Sequence, residues 1–155
     1  MGSKLDMCNC GSKKLMDFMD FSELADELEL VNKSSAKRTA ISRWYYASYH
    51  ASYQFLENIG INIPKKKQHK AVMVRLINSG NTELRRAGNK FKELQEYRIR
   101  ADYHLEDPNI EKKGRIKKSK ARSKSIIDYV IKDRTDVELK AIKNNINNYL
   151  STFKT

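Results

Sequence analysis

Apolar residues recur every three or four positions through most of this chain, and alternation with period two is absent. The clearest run is "SSAKRTAISRWYYASYHASYQFLENIG". Ile41, Trp44, Tyr45, Ser48, Ala51 (or Ser52), Phe55 and Ile59 form one stripe there. A serine opens the run as a cap candidate, and Gly60 ends it. The small residues Ala47, Ser48, Ala51 and Ser52 would let another helix come close. Arg43, Tyr46, His50 and Tyr53 make a second, more polar stripe.

The same spacing predicts helices before and after this one. The first covers Lys14 to Leu30, with Leu15, Phe18, Met19, Leu24 and Leu28 as its apolar positions. Pro64 keeps Ile63 out of helical geometry, so "INIPKKKQ" reads as a linker. A short helix follows over Gln68 to Ile77, then one from Thr82 as cap to about Tyr103. Leu84, Ala87, Phe91, Leu94, Arg98 and Ala101 mark its inner face. Pro108 and Gly114 indicate a loop leading into a helix through "SIIDYVI". Thr135 with Glu138 reads as a capping box that opens the last helix, to about Leu150. The fold class predicted is all-α, an up-and-down bundle of five to six helices. Residues 1–13 read as a tail, and 14–153 as one helical domain.

Composition sharpens the picture in one respect. Among 155 residues, 31 are Lys or Arg and 19 Asp or Glu, a formal net charge of +12. Such an excess points to a polyanionic partner, with nucleic acid the commonest and an anionic membrane surface the competitor. No apolar run is long enough to span a bilayer and no signal peptide is visible, so a cytoplasmic protein without a membrane partner is expected. Cys8 and Cys10 make half a zinc site with no second pair, so no metal or cofactor is expected.

Candidate chemistry concentrates in "EYRIRADYHLED", Glu96 to Asp107. Arg98 and Asp102 are four apart, on one face and able to pair, and Arg100 and His104 are also four apart and share a face. Arg98 and His104 are about 120° apart on a continuous helix, so both address one ligand only if the helix ends at His104 or a second molecule contributes. A helix-end salt bridge and an ordinary helix-end histidine explain the same residues.

The pair "AISRWYYASYHASYQFLENIGI" and "YRIRADYHL" resembles the HEPN domains (higher eukaryotes and prokaryotes nucleotide-binding), in particular stand-alone prokaryotic members with "SRxYYAxxHA" and "RxxADY" helices. The resemblance covers roughly Lys14 to Asp133. It implies a helical bundle that dimerises and, in many members, a metal-independent endoribonuclease with Arg, four to six residues, then His. Arg98 and His104 match that pattern. It thereby implies an RNase of toxin or defence type, a homodimer, and an antitoxin or nucleotidyltransferase as partner. Ile99 stands where the family usually has a polar residue, and Glu106 where nucleotidyltransferase-paired members often have tyrosine. These two departures motivate the alternative, a non-catalytic HEPN module (antitoxin, adaptor or accessory subunit) that recognises RNA, a nucleotide or a protein.

RNA carries its own nucleophile in the 2′-hydroxyl. A histidine that titrates near neutrality moves the proton, and an arginine offsets charge on the phosphate. Arg98 and His104 take these roles. Arg100 is expected as a substitute or second phosphate ligand, Asp102 to orient an arginine, and Tyr103 to stack on a base or hydrogen-bond a phosphate. Arg43, Tyr46 and His50 support the same cleft. Between Lys112 and Lys124, eight of thirteen residues are basic: Lys112, Lys113, Arg115, Lys117, Lys118, Lys120, Arg122 and Lys124. They read as a phosphate track. His69, in "KKKQHK", reads as solvated.

Overall fold

The structure, a computed structural model, describes residues 15–153; the predicted tail with Cys8 and Cys10 lies outside them. Among the described residues there are six α-helices and no strand: α1 (Phe18–Glu29), α2 (Ser34–Asn58), α3 (Gln68–Ile77), α4 (Thr82–Tyr103), α5 (Lys113–Ile131) and α6 (Asp136–Thr152). A short 3-10 turn, Pro108–Glu111, joins α4 to α5. The expected all-α bundle is therefore the fold.

Helix α2 is the hub and packs against α1, α3, α4 and α5. Its predicted stripe is buried at Ile41, Trp44, Tyr45, Ser48, Ala51 and Ser52. Burial of each large side chain such as Trp44 or Tyr45 contributes about 1.5–3 kcal/mol. Its small residues admit α5. The Ser48 and Ser123 hydroxyls lie 2.9 Å apart, and each is 3.0 Å from the Trp44 carbonyl. One core, centred on Tyr45, Leu76, Phe91, Ile126 and Ile146, joins α2 to α6. A smaller core of Ile41, Trp44, Tyr97, Ala101, Ile110 and Ile116 lies under the α4–α5 junction.

Several local expectations are corrected. Helix α1 starts at Phe18 with Asp17 as cap, in a reciprocal box with Asp20. Its inward positions are Phe18, Phe21, Ala25 and Leu28, while Leu15, Met19 and Leu24 face out. The apolar residues of this segment are too many for one stripe, and the small Ala25 takes the place closest to α2. Asn81, not Thr82, caps α4, because its carboxamide oxygen accepts from the Glu83 and Leu84 amides at 3.1 and 3.0 Å. No serine caps α2; the Ser34 hydroxyl donates to Glu111 instead. The Thr135–Glu138 box is present on α6. Gly60 follows α2 with φ +76, a conformation that glycine adopts without strain.

Candidate functional site

Arg98 projects from the inner side of α4 toward α2. Its Nη2 donates to the Tyr46 hydroxyl at 3.0 Å, and its Nε is 3.4 Å from the Asp102 carboxylate. That second contact is an ion pair without hydrogen-bond alignment, since the buried Nε has no hydrogen-bond partner. The guanidinium lies over the rings of Tyr45, Tyr46 and Tyr103, at 5.2, 5.6 and 5.9 Å from their centroids. Burial opposes its charge, but the Tyr46 hydrogen bond and the Tyr46, Tyr45 and Asp102 charges outweigh this and raise its pKa.

A second guanidinium shares the Tyr46 ring. Arg43 lies 5.1 Å from that centroid and 5.6 Å from Phe21, and its buried Nε is also without a hydrogen-bond partner. Arg43 and Asp102 meet through Ser42, whose hydroxyl accepts from Arg43 at 3.5 Å and donates to Asp102 at 3.3 Å. Two guanidiniums thus converge with one carboxylate between them, a local surplus of positive charge on a half-buried aromatic base. The fold therefore brings Arg43, Tyr46, Arg98, Asp102 and Tyr103 together.

His104 closes α4. Its backbone amide donates to the Arg100 carbonyl at 3.1 Å, and its carbonyl accepts from the Asp107 amide at 3.1 Å. The helix ends there, which is one of the two arrangements that let Arg98 and His104 address one ligand. The ring is about half exposed, with Nδ1 3.3 Å from Glu106. The Glu106 carboxyl is held below the usual carboxylate range by its own backbone amide and then by His104. The backbone here is fixed, and among the described residues the half-exposed imidazole has a polar contact only with Glu106, through Nδ1. Arg98 and His104 hold different partners in one chain. Clefts of about 350 to 440 Å³ open elsewhere on the surface and include neither residue.

The residue that fixes this turn is Arg38, which the sequence reading missed. Its guanidinium donates to the carbonyls of Ala101 (3.0 Å), His104 (3.1 Å) and Asp107 (2.8 Å), with longer contacts to Arg100 and Leu105. Its Nε pairs with Glu111. The last carbonyls of a helix lack intrahelical donors, and one planar cation satisfies several of them here. The signal was present. Arg38 precedes Ile41 by three and Tyr45 by seven, which puts a charge on the buried stripe, where it must find partners.

Other expectations shift. Arg100 does not stand free beside His104; its Nε donates to Asp107 at 2.9 Å and its Nη2 joins the same oxygen. His50 is exposed and stacks on Phe21 at 5.3 Å, one turn beyond Tyr46. His69 is not solvated. Its Nδ1 is 2.7 Å from the Tyr45 hydroxyl and its ring 4.1 Å from that of Tyr49. Burial first, then Arg98 and His50, push its pKa below the ordinary 6.5; burial alone lowers that of His50. His69, Val72 and Leu76 share one face of α3, a periodicity that the flanking lysines obscured.

The basic tract is helical and divides. Arg115 donates to the Tyr97 hydroxyl at 2.7 Å, Arg122 pairs with Glu93, and Lys120 pairs with Glu29 and Asp26. Lys112, Lys113, Lys117, Lys118 and Lys124 are exposed, with no ion pair among the described residues. No group of His, Cys, Asp and Glu able to hold a metal ion occurs among the described residues, and none of their helices is long and apolar enough to cross a membrane.

Comparison of the chain with family models, curated proteins and solved structures finds no match.

Proposed function

We propose that this chain is a HEPN-type, metal-independent endoribonuclease of toxin or defence type that acts as a homodimer. The observation that carries the reading is the Arg43–Tyr46–Arg98 cluster, charged beyond its one carboxylate, in which α2 supplies Arg43 and Tyr46 and Arg98 comes from α4, the helix whose end presents the His104 ring. Arg98 and His104 are about 9 Å apart along the α4 axis. Long side chains at that separation reach one phosphodiester from two sides, within a chain or across a two-fold axis.

In this reading the 2′-oxygen of RNA attacks the adjacent phosphorus while the bond from phosphorus to the 5′-oxygen breaks. A base takes the 2′-hydroxyl proton and an acid gives one to the departing 5′-oxygen. His104 serves as either, and two copies supply both. Arg98, with Arg43, offsets the charge that builds on the phosphoryl oxygens. The ends left are a 2′,3′-cyclic phosphate and a 5′-hydroxyl. Ile99, Tyr103 and Leu105 are exposed apolar side chains around His104. They offer a surface for the second copy, which gives Ile99 a reason for being apolar.

A second reading has its own observation. The His104 ring lies against Glu106 and Arg100 is bound to Asp107, an arrangement that suits a binding module equally. Incubation of the full chain with single-stranded RNA in EDTA separates the two. Cyclic-phosphate ends at neutral pH are expected; salt-sensitive RNA binding with intact RNA would replace the nuclease by the binding module.

A further inference from the structure

Two clefts open along the seam between α1 and α5, one on each side of Lys120. The first, about 410 Å³, is floored by Ile116 and edged by Leu30, Lys37, Lys113 and Lys117. The second, about 350 Å³, lies over Trp44 and Ile127 and is edged by Met19 and Lys124. Between them the Lys120 ammonium is 2.8 Å from Glu29 and 3.2 Å from Asp26. Leu30 is 85% exposed at the mouth of the first cleft, an apolar side chain that nothing in the chain covers among the described residues.

The seam has a regular design. Lys113, Lys117 and Lys124 are four and eleven residues apart, so they fall within about 40° of one another on α5. From the α1 and α5 residues that line them, the two clefts are centred about 12 Å apart, seven to eight residues of helix. Two apolar hollows at that spacing, with a row of unpaired cations beside them, are the imprint of an amphipathic helix with two apolar anchors and acidic flanks.

Helix α1 lays its apolar face on α2 and meets α5 through charge, which shows how α5 holds acidic side chains. Its sequence from Phe18 to Glu29 carries Asp20, Glu23, Asp26, Glu27 and Glu29 and no basic residue. Two of those acids, Asp26 and Glu29, spaced three apart, take Lys120. A phosphodiester backbone suits the seam less well. Both cleft floors are apolar, Ile116 in the first and Trp44 with Ile127 in the second, and a phosphodiester backbone has no apolar side chain to place there.

We infer that the α1–α5 seam is a docking surface for an acidic amphipathic helix of a protein partner. It receives two apolar side chains in the clefts and carboxylates at Lys113, Lys117 and Lys124. The inference is independent of the ribonuclease reading.

The test uses the full chain and a fluorescein-labelled, helix-forming peptide of about 18 residues, long enough to hold helix on the surface. It carries leucines seven apart and glutamates beside them. A control peptide of identical composition puts the two leucines on opposite faces. Anisotropy titration is expected to show saturable binding of the first peptide, with the control weaker by about tenfold. Lys113→Glu with Lys117→Glu is expected to weaken it by tenfold or more, and the exposed Leu30→Asp by about fivefold. Excess single-stranded RNA leaves the peptide bound. The proposal is overturned if neither peptide binds, if both bind alike, or if the charge-reversed protein binds as wild type. Displacement by RNA would return these lysines to a phosphate track and overturn it as well.

Discussion

Replacing Arg38 by methionine keeps the aliphatic stem and removes the cation that closes α4. Three of its carbonyl contacts are at 3.1 Å or shorter. A hydrogen bond to a charged group contributes about 1.5–3 kcal/mol, and the lower end applies because water can reach the freed loop carbonyls. Glu111 also loses its cationic partner but keeps the Ser34 hydroxyl as a donor. Because that carboxylate is partly exposed and stays hydrogen-bonded, losing the cation there adds about 1 kcal/mol. The two contributions overlap, since one cation makes both, so a total of about 3–5 kcal/mol is expected. With a urea m-value near 2 kcal/mol/M, the midpoint falls by about 2 M while m stays constant. Arg38→Lys keeps the charge but reaches fewer acceptors, and about half that shift is expected. Faster hydrogen exchange at the His104 and Asp107 amides should accompany the loss. A shift below about 0.5 M for methionine, or lysine as damaging as methionine, would refute the reasoning.

Three further outcomes are expected. Gly88→Ala places a Cβ 2.6 Å from Ile77 Cγ1 and 3.1 Å from its backbone nitrogen; despite a helix-propensity gain near 1 kcal/mol, a net loss of about 1–3 kcal/mol should lower the thermal midpoint, and an unchanged midpoint would count against the tight α3–α4 approach. Burial first depresses the pKa of the half-buried His69 below 6.5, so protons bind the unfolded chain more readily: the stability is present above pH 6.5 and lost as pH falls through the lower folded value, and His69→Gln should flatten this slope in urea titrations across pH 5 to 7. Tyr46→Phe removes the Arg98 hydrogen bond for about 1 kcal/mol of stability; RNA affinity should fall about tenfold at constant fold by circular dichroism, and wild-type affinity would show that Tyr46 does not hold Arg98 for phosphate.

Helix order, the α2 stripe and the α6 capping box were legible because each rests on local periodicity or a short cap motif. The Arg43–Tyr46–Arg98 grouping was legible in part, since the polar stripe of α2 and the end of α4 each displayed their residues. Partners far apart in sequence were not. Nothing local tells that Arg38 spans to residues 101–111, or that His69 meets Tyr45 across α3 and α2. The tract from Lys112 to Lys124 read as one charge run because its acids, Glu29, Asp26 and Glu93, come from α1 and α4. Helix α1 misled in phase, since Met19 and Leu24 are as apolar as the residues that turn inward.

Cutting and binding measured separately on single-stranded RNA in EDTA test the central claim most directly. The account predicts that His104→Ala binds RNA within about threefold of wild type yet leaves it uncut, whereas Arg98→Ala loses both binding and cutting. Cleavage by His104→Ala at the wild-type rate would contradict it.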